Sequence, residues 1–184
     1  MFTTERLILR AVRDDDTEKL RDLWNTEAIQ RNLSFDFTVP ISESMHKSRL
    51  LNLIEISTVF VVIETKENNE FIGFANLWSL DVKNRSLRYG TALSPHFWNK
   101  GYATEVMRFM MNRAFVSFGV HRVALNVLSG NAAAIAVYKK IGLVEEGRLR
   151  EAVWVDGHWQ DEVWMGLLQR EWLALNPVEG TDTQ

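Results

Sequence analysis

The chain contains no cysteine. That excludes disulfides, thiolate metal sites and a cysteine nucleophile. Its four histidines, His46, His96, His121 and His158, lack the spacing of metal ligands, so no metal is expected. There is no G-x-S-x-G, the nucleophile turn of many serine hydrolases. No apolar run reaches the roughly 18 residues that a membrane-crossing helix needs. The start, M-F-T-T-E-R-L-I-L-R, carries Glu5 and Arg6 and lacks the apolar centre of a signal peptide. A cytoplasmic location is therefore the expectation. The net charge of −3 offers no basic surface for neutralising phosphates, so nucleic acid is not an expected partner.

What is present is ordinary globular material. Of 184 residues, 46% are hydrophobic and 24% charged, enough for one domain with a real core. No repeat or linker interrupts it. A single domain over 1–175 is expected, with a flexible tail over 176–184, where Pro, Gly, Thr and acidic residues gather.

The best-patterned stretch is 93–118. Ala103, Val106, Met107, Met110, Met111, Ala114, Phe115 and Phe118 form one apolar stripe at helical period. Glu105, Arg108, Asn112 and Arg113 fall on the other face. A helix held on one side fixes its N-terminus in space, and the free N–H groups there suit an anion. Gly101 and Ala103 keep side chains out of the way. Gly101 equally suits a plain strand-to-helix turn, and the tripeptide alone does not decide between the two.

Upstream, 7–12 reads as a strand. The run Asp14, Asp15, Asp16 reads as the cap of a helix over 17–26, or as an acidic metal site. Residues 30–40 read as irregular, with Asn32, Ser34 and Pro40 as breakers, and 42–56 as a second helix. The β-branched 58–64 pairs with 70–78, with Gly73 as a bulge, and 87–93 follows as the next strand. Downstream, Gly119 stops the long helix, and 122–128 is a strand. Asn131 caps a helix that Gly142 ends. Residues from 143 form a hairpin turning at Asp156-Gly157, which sets Trp154 opposite Trp159. This order describes a mixed α/β (α+β) domain. Its central sheet has about seven mostly antiparallel strands, flanked by helices, with one parallel strand-helix-strand crossover. Ligands favour the strand ends beside such a crossover.

Three pieces stand in a particular order: a strand ending L-S-P, then W-N-K-G-Y-A-T-E opening a helix, then N-A-A-A-I-A-V-Y-K-K-I-G-L. Together they resemble the GNAT superfamily of acetyl-CoA-dependent N-acetyltransferases. The branch resembled is that of the ribosomal-protein acetyltransferases of RimJ/RimL type and the nearby spermidine acetyltransferases. T-E-R-L-I-L-R, E-E-G-R-L-R-E and D-G-H-W-Q-D-E-V-W-M-G-L-L look like the same branch, so the likeness spans about residues 3–172. It implies a GNAT-like fold and acetyl-CoA as co-substrate. Backbone N–H groups of Lys100, Gly101, Tyr102, Ala103 and Thr104 would hold the pyrophosphate. Trp98 stands where relatives carry Gln or Arg. Ala92 and Leu93 would pair with the pantetheine arm. Asn131 would contact the cofactor or serve only as helix cap. Tyr138, seven residues later, would protonate the leaving thiolate, or else merely pack. Lys139 or Lys140 would reach CoA phosphates or face solvent.

Without cysteine or a serine-hydrolase motif, transfer would run directly from thioester to amine. An alkylamine near pKa 10.4 is neutral in only on the order of one molecule in a thousand at pH 7, so a base is expected. Relatives carry Glu where this chain has Arg88, and Asn126 is no base. Glu151 is the best candidate the resemblance leaves. An α-amine near pKa 8 needs less help, which favours a peptide N-terminus or small amino compound over a polyamine. Two readings of other classes stand beside these: a non-catalytic acetyl-CoA-binding regulatory module, and an interaction protein using its tryptophans. Trp154, Trp159, Trp164 and Trp172 are more simply core and homodimer-interface residues.

Overall fold

The computed structural model describes residues 1–177. The expected flexible tail lies outside the described residues from position 178 onward. A short β1 (Phe2–Thr3) precedes β2 (Leu7–Arg10), then come α1 (Asp16–Trp24), α2 (Glu27–Leu33) and α3 (Glu43–Glu55). A meander of β3 (Ser57–Thr65), β4 (Phe71–Asp81) and β5 (Ser86–Leu93) leads to α4 (Tyr102–Asn112). The chain finishes with β6 (Arg122–Leu128), α5 (Ala132–Ile141), β7 (Val144–Val155), β8 (His158–Leu168) and α6 (Gln169–Leu175). Among the described residues the sheet has eight strands in the order β1-β2-β3-β4-β5-β6-β8-β7, one more than expected because the two-residue β1 adds an edge.

Among these eight strands only the β5–β6 pair is parallel, and it is short. Ser86, Leu87 and Arg88 face Arg122, Val123 and Ala124, and then the ladder ends while both strands run on. A fork opens between them. The sheet's two faces build two cores. On one, Leu77, Leu87, Val123 and Met165 pack against Met107, Met110 and Met111 of α4. On the other, Phe74 and Ala92 pack against Leu20, Leu23, Ile29 and Leu50 of α1–α3.

The α4 stripe is buried from Val106 through Phe115, but Phe118 is 46% exposed. A π-helical turn at Arg113–Ser117 explains the difference: Phe118 N–H bonds to the Arg113 carbonyl five residues back, and the wider turn rotates Phe118 out of line. Residues 30–33, expected to be irregular, instead finish the helix α2, which the chain leaves only at Ser34. The bulge falls at Gly73 as expected; a Cβ there would sit 2.0 Å from the Ala92 carbonyl oxygen. Asp156 and Gly157 both take left-handed backbone, and Trp154 and Trp159 face each other with ring centroids 5.2 Å apart. The Asp run serves neither reading. Asp15 makes no side-chain cap, and the buried Asp16 carboxylate takes the Arg10 guanidinium and the Arg13 N–H.

Candidate active site at the fork of the sheet

A cavity of about 370 Å³ occupies the fork. Alternation along β5 turns Tyr89, Thr91 and Leu93 into it. Residues 101–104 at the start of α4 form a second wall, and 130–134 with Val137 and Tyr138 of α5 a third. Ile29, Asn32 and Leu33 of α2 close it from the other face of the sheet. The opening therefore passes through the sheet.

The loop into α4 is shaped for an anion. Asn99 and Gly101 have positive φ, 60° and 82°, the backbone pattern that curls N–H groups into a concave nest. The first-turn N–H groups of α4 have no carbonyls of their own helix to bond. The loop is braced from two sides. Trp98 Nε1 donates to the Leu93 carbonyl at 2.6 Å, tying the loop to the end of β5. Arg6 donates from Nη1 to the Lys100 carbonyl at 2.9 Å and from Nε to Glu105 at 2.8 Å, and lies over the Tyr102 ring. Burial pulls the Glu105 carboxyl up, but hydrogen bonds from Thr4 and Arg6 more than offset this and leave its pKa lowered. Arg6 Nη2 lies 3.3 Å from where a Cβ on Gly101 would stand, so a cation borders the nest. Sequence reading missed Arg6, since no local pattern links it to a helix about a hundred residues on.

At the α5 wall, Asn131 uses both ends of its amide. Oδ1 accepts from Ala134 N–H at 3.1 Å, capping the helix, and Nδ2 donates to the Asn32 carbonyl at 3.1 Å. It lines the cavity while pinning α2 to α5. Tyr138 is 8% exposed, and burial pushes its phenol up to about 12. Tyr89, 5% exposed, was not singled out from sequence, where a strand tyrosine reads as core. Burial also raises its pKa. The neighbouring Thr91 hydroxyl donates to the Phe74 carbonyl, and the Tyr89 hydroxyl has no hydrogen-bond partner among the described residues. The alternation from Leu93 back through Thr91 was the signal that finds it.

Of the expected site residues, Ala92, Leu93, Trp98, Gly101, Tyr102 and Ala103 line the cavity, as do Thr104, Asn131 and Tyr138. Lys100 does not; its carbonyl is held by Arg6 and its ammonium lies over the Phe97 ring. Lys140 lies apart, lining a separate small cavity with Arg108 and Trp172. Glu151 also stands outside. Its left-handed backbone, φ 51°, sits where the β7–β8 register slips, leaving its side chain exposed. No carboxylate or imidazole lines the fork cavity among the described residues; its titratable groups are the phenols of Tyr89, Tyr102 and Tyr138.

The domain family described as acetyltransferase (GNAT) domain matches residues 6–144. The chain belongs to the GNAT acetyltransferase family. It is 28% identical over 186 residues to the putative ribosomal N-acetyltransferase YdaF of Bacillus subtilis, covering 94% of this chain and 98% of that protein. It is 27% identical over 170 residues to the spermidine N(1)-acetyltransferase of Vibrio cholerae, covering 91% and 96%. The crystal structure of spermidine N-acetyltransferase from Vibrio cholerae in complex with CoA and spermine superposes with a TM-score of 0.81 at 26% identity, covering 91% of this chain and 98% of that one.

GNAT acetyltransferases draw their acetyl group from acetyl-CoA, and the residues present fit that donor. The nest and helix start offer N–H groups to phosphates, Phe97, Met107 and Val137 offer apolar wall, and the Tyr89 hydroxyl is a buried polar group awaiting a partner. Among the described residues, no group of three or more metal-ligating side chains is gathered, and no helix is long and apolar enough to cross a membrane.

Proposed function

We propose that this acetyltransferase moves the acetyl group of acetyl-CoA directly to the α-amine of a small amino compound or a peptide N-terminus. The supporting observation is the fork cavity itself, which joins an anion-binding helix start to two buried phenols without a charged side chain in its lining. In this reading, backbone N–H groups of residues 100–104 hold the pyrophosphate, and Ala92 and Leu93 pair with the pantetheine arm. Asn131 orients the donor by fixing the start of α5. Tyr138, kept protonated by its raised pKa, gives its proton to the departing thiolate. With no carboxylate or imidazole in the lining, the amine sheds its proton to solvent before it attacks. The α-amine of a peptide N-terminus, near pKa 8, has a neutral fraction at pH 7 roughly two orders of magnitude above that of an alkylamine, and so fits such a site better.

A polyamine acceptor is the second reading, supported by the likeness to spermidine acetyltransferases. Release of free thiol from acetyl-CoA, measured across amino acids, short peptides and spermidine, separates the two. The first reading expects rates that rise with pH along each acceptor's own titration and favour α-amines. Fastest turnover with spermidine would replace it with the second. We also read residues 1–175 as one domain of a cytoplasmic homodimer. The exposed Trp154–Trp159 pair on the outermost hairpin supports the dimer, which sedimentation would test.

A further inference from the structure

We propose that Arg88 anchors a carboxylate carried by the acceptor amine. This rests on the acetyl-transfer reading and names the acceptor class more narrowly. Arg88 is the last residue of the short parallel ladder, at the root of the fork. Tyr89, next in sequence, faces the cavity; Arg88 faces the other side of the sheet, opposite Trp78 of β4. Its guanidinium lies between two indoles, 5.0 Å from the Trp78 ring centroid and 4.7 Å from that of Trp164. Cation–π contact with both rings restrains it.

One edge of the guanidinium is also fixed. Nη2 donates to Asn126 Oδ1 at 2.9 Å. Asn126 cannot rotate its amide away, because its Nδ2 donates to Glu162 Oε1 at 2.6 Å. Nε and Nη1 have no acceptor among the described residues, and no carboxylate there lies within 4.0 Å of this guanidinium. The side chain is half-buried, so these groups meet solvent. A guanidinium restrained by two rings, with Nε and Nη1 free, can take a ligand on its open edge. The ligand matching that fork is a planar oxyanion, held by two parallel bonds. Arg88 thus places a fixed positive charge at the fork's root, which attracts an amine that bears a carboxylate and repels a polycation. The carboxylate belongs either to a free amino acid or to an acidic side chain beside a peptide N-terminus.

The test compares matched acceptors with wild-type protein and Arg88→Gln: an amino acid against its amide, a peptide beginning with aspartate against one beginning with asparagine, and spermidine. Rates are corrected for the neutral fraction of each amine. Wild type should prefer the carboxylate member of at least one pair by about tenfold or more in kcat/KM, chiefly through KM, and Arg88→Gln should abolish that preference. Which pair responds identifies the source of the carboxylate. Equal rates within both pairs, or a preference that survives in Arg88→Gln, would overturn the proposal. A turnover-independent arm uses an N-acetyl amino acid and its amide as probes of the Trp78 and Trp164 indole N–H resonances. The acid should shift them in wild type and not in Arg88→Gln; no shift in wild type counts against the anchor. If no amine is acetylated, the transfer reading fails while this arm still reports on Arg88.

Discussion

Two buried phenols, Tyr89 and Tyr138, face one cavity. The Tyr89 hydroxyl has no partner among the described residues, so removing it deletes an unsatisfied group and not a bond. Tyr89→Phe should therefore leave thermal stability unchanged or raise it by up to about 1 kcal/mol, while weakening acetyl-CoA binding roughly fivefold to tenfold. Denaturation and calorimetric titration of the same samples check both halves. A loss of stability would mean that the hydroxyl serves the fold. At this scale the sequence was partly readable. Tyr138 stood out through its distance from Asn131 within a known pattern, whereas Tyr89 looked like any apolar strand position. Glu151 lies outside the cavity, at a register slip that a strand carboxylate near a hairpin does not announce in sequence.

Among the elements, α4 was legible because its stripe follows one period over many residues, and the structure buries that stripe from Val106 to Phe115. The π-helical turn was not legible, since five-residue hydrogen bonding leaves no mark on an apolar pattern that still looks continuous. The helix α6 was missed for a similar reason: W-M-G-L-L runs straight on toward Trp172, and only the Glu171 carboxylate accepting Leu168 N–H marks the start. The brace from Arg6 to the loop before α4 is a long-range contact that local pattern cannot reveal. Arg6→Ala should weaken CoA binding about fivefold to tenfold, through loss of a nearby charge and of the contacts to Lys100 and Glu105, with kcat within about twofold. Steady-state kinetics with varied acetyl-CoA would show it. A drop confined to kcat would place Arg6 elsewhere in the mechanism.

For the molecule as a whole, two ionic clamps tie the N-terminal strands to the rest. Arg10 binds Asp16 and Glu64, and Arg6 binds Glu105. Burial raises the Asp16 carboxyl, yet its bonds to Arg10 and Arg13 prevail, and its folded pKa, like that of Glu105, lies below the ordinary value. Depressed carboxylates contribute stability that is whole above their unfolded values, about 3.9 and 4.3, and lost as pH falls through the folded ones. His46, buried and pushed down by burial, adds a shallower loss as pH falls below about 6.5. Stability measured against pH should therefore fall gently below about 6.5 and steeply below about 4; a flat acid limb would contradict both clamps. The overall topology was legible because strands, helices and the crossover each carry their own period, but the fork depends on where a parallel ladder stops, which no single strand encodes. The central claim is that this fork performs acetyl transfer with Tyr138 as the proton donor. It is tested most directly by comparing Tyr138→Phe with wild type in thiol release at saturating acetyl-CoA, alongside CoA affinity by titration. Turnover should fall by about a hundredfold or more with affinity within about twofold; equal losses in both, or undiminished turnover, would contradict it.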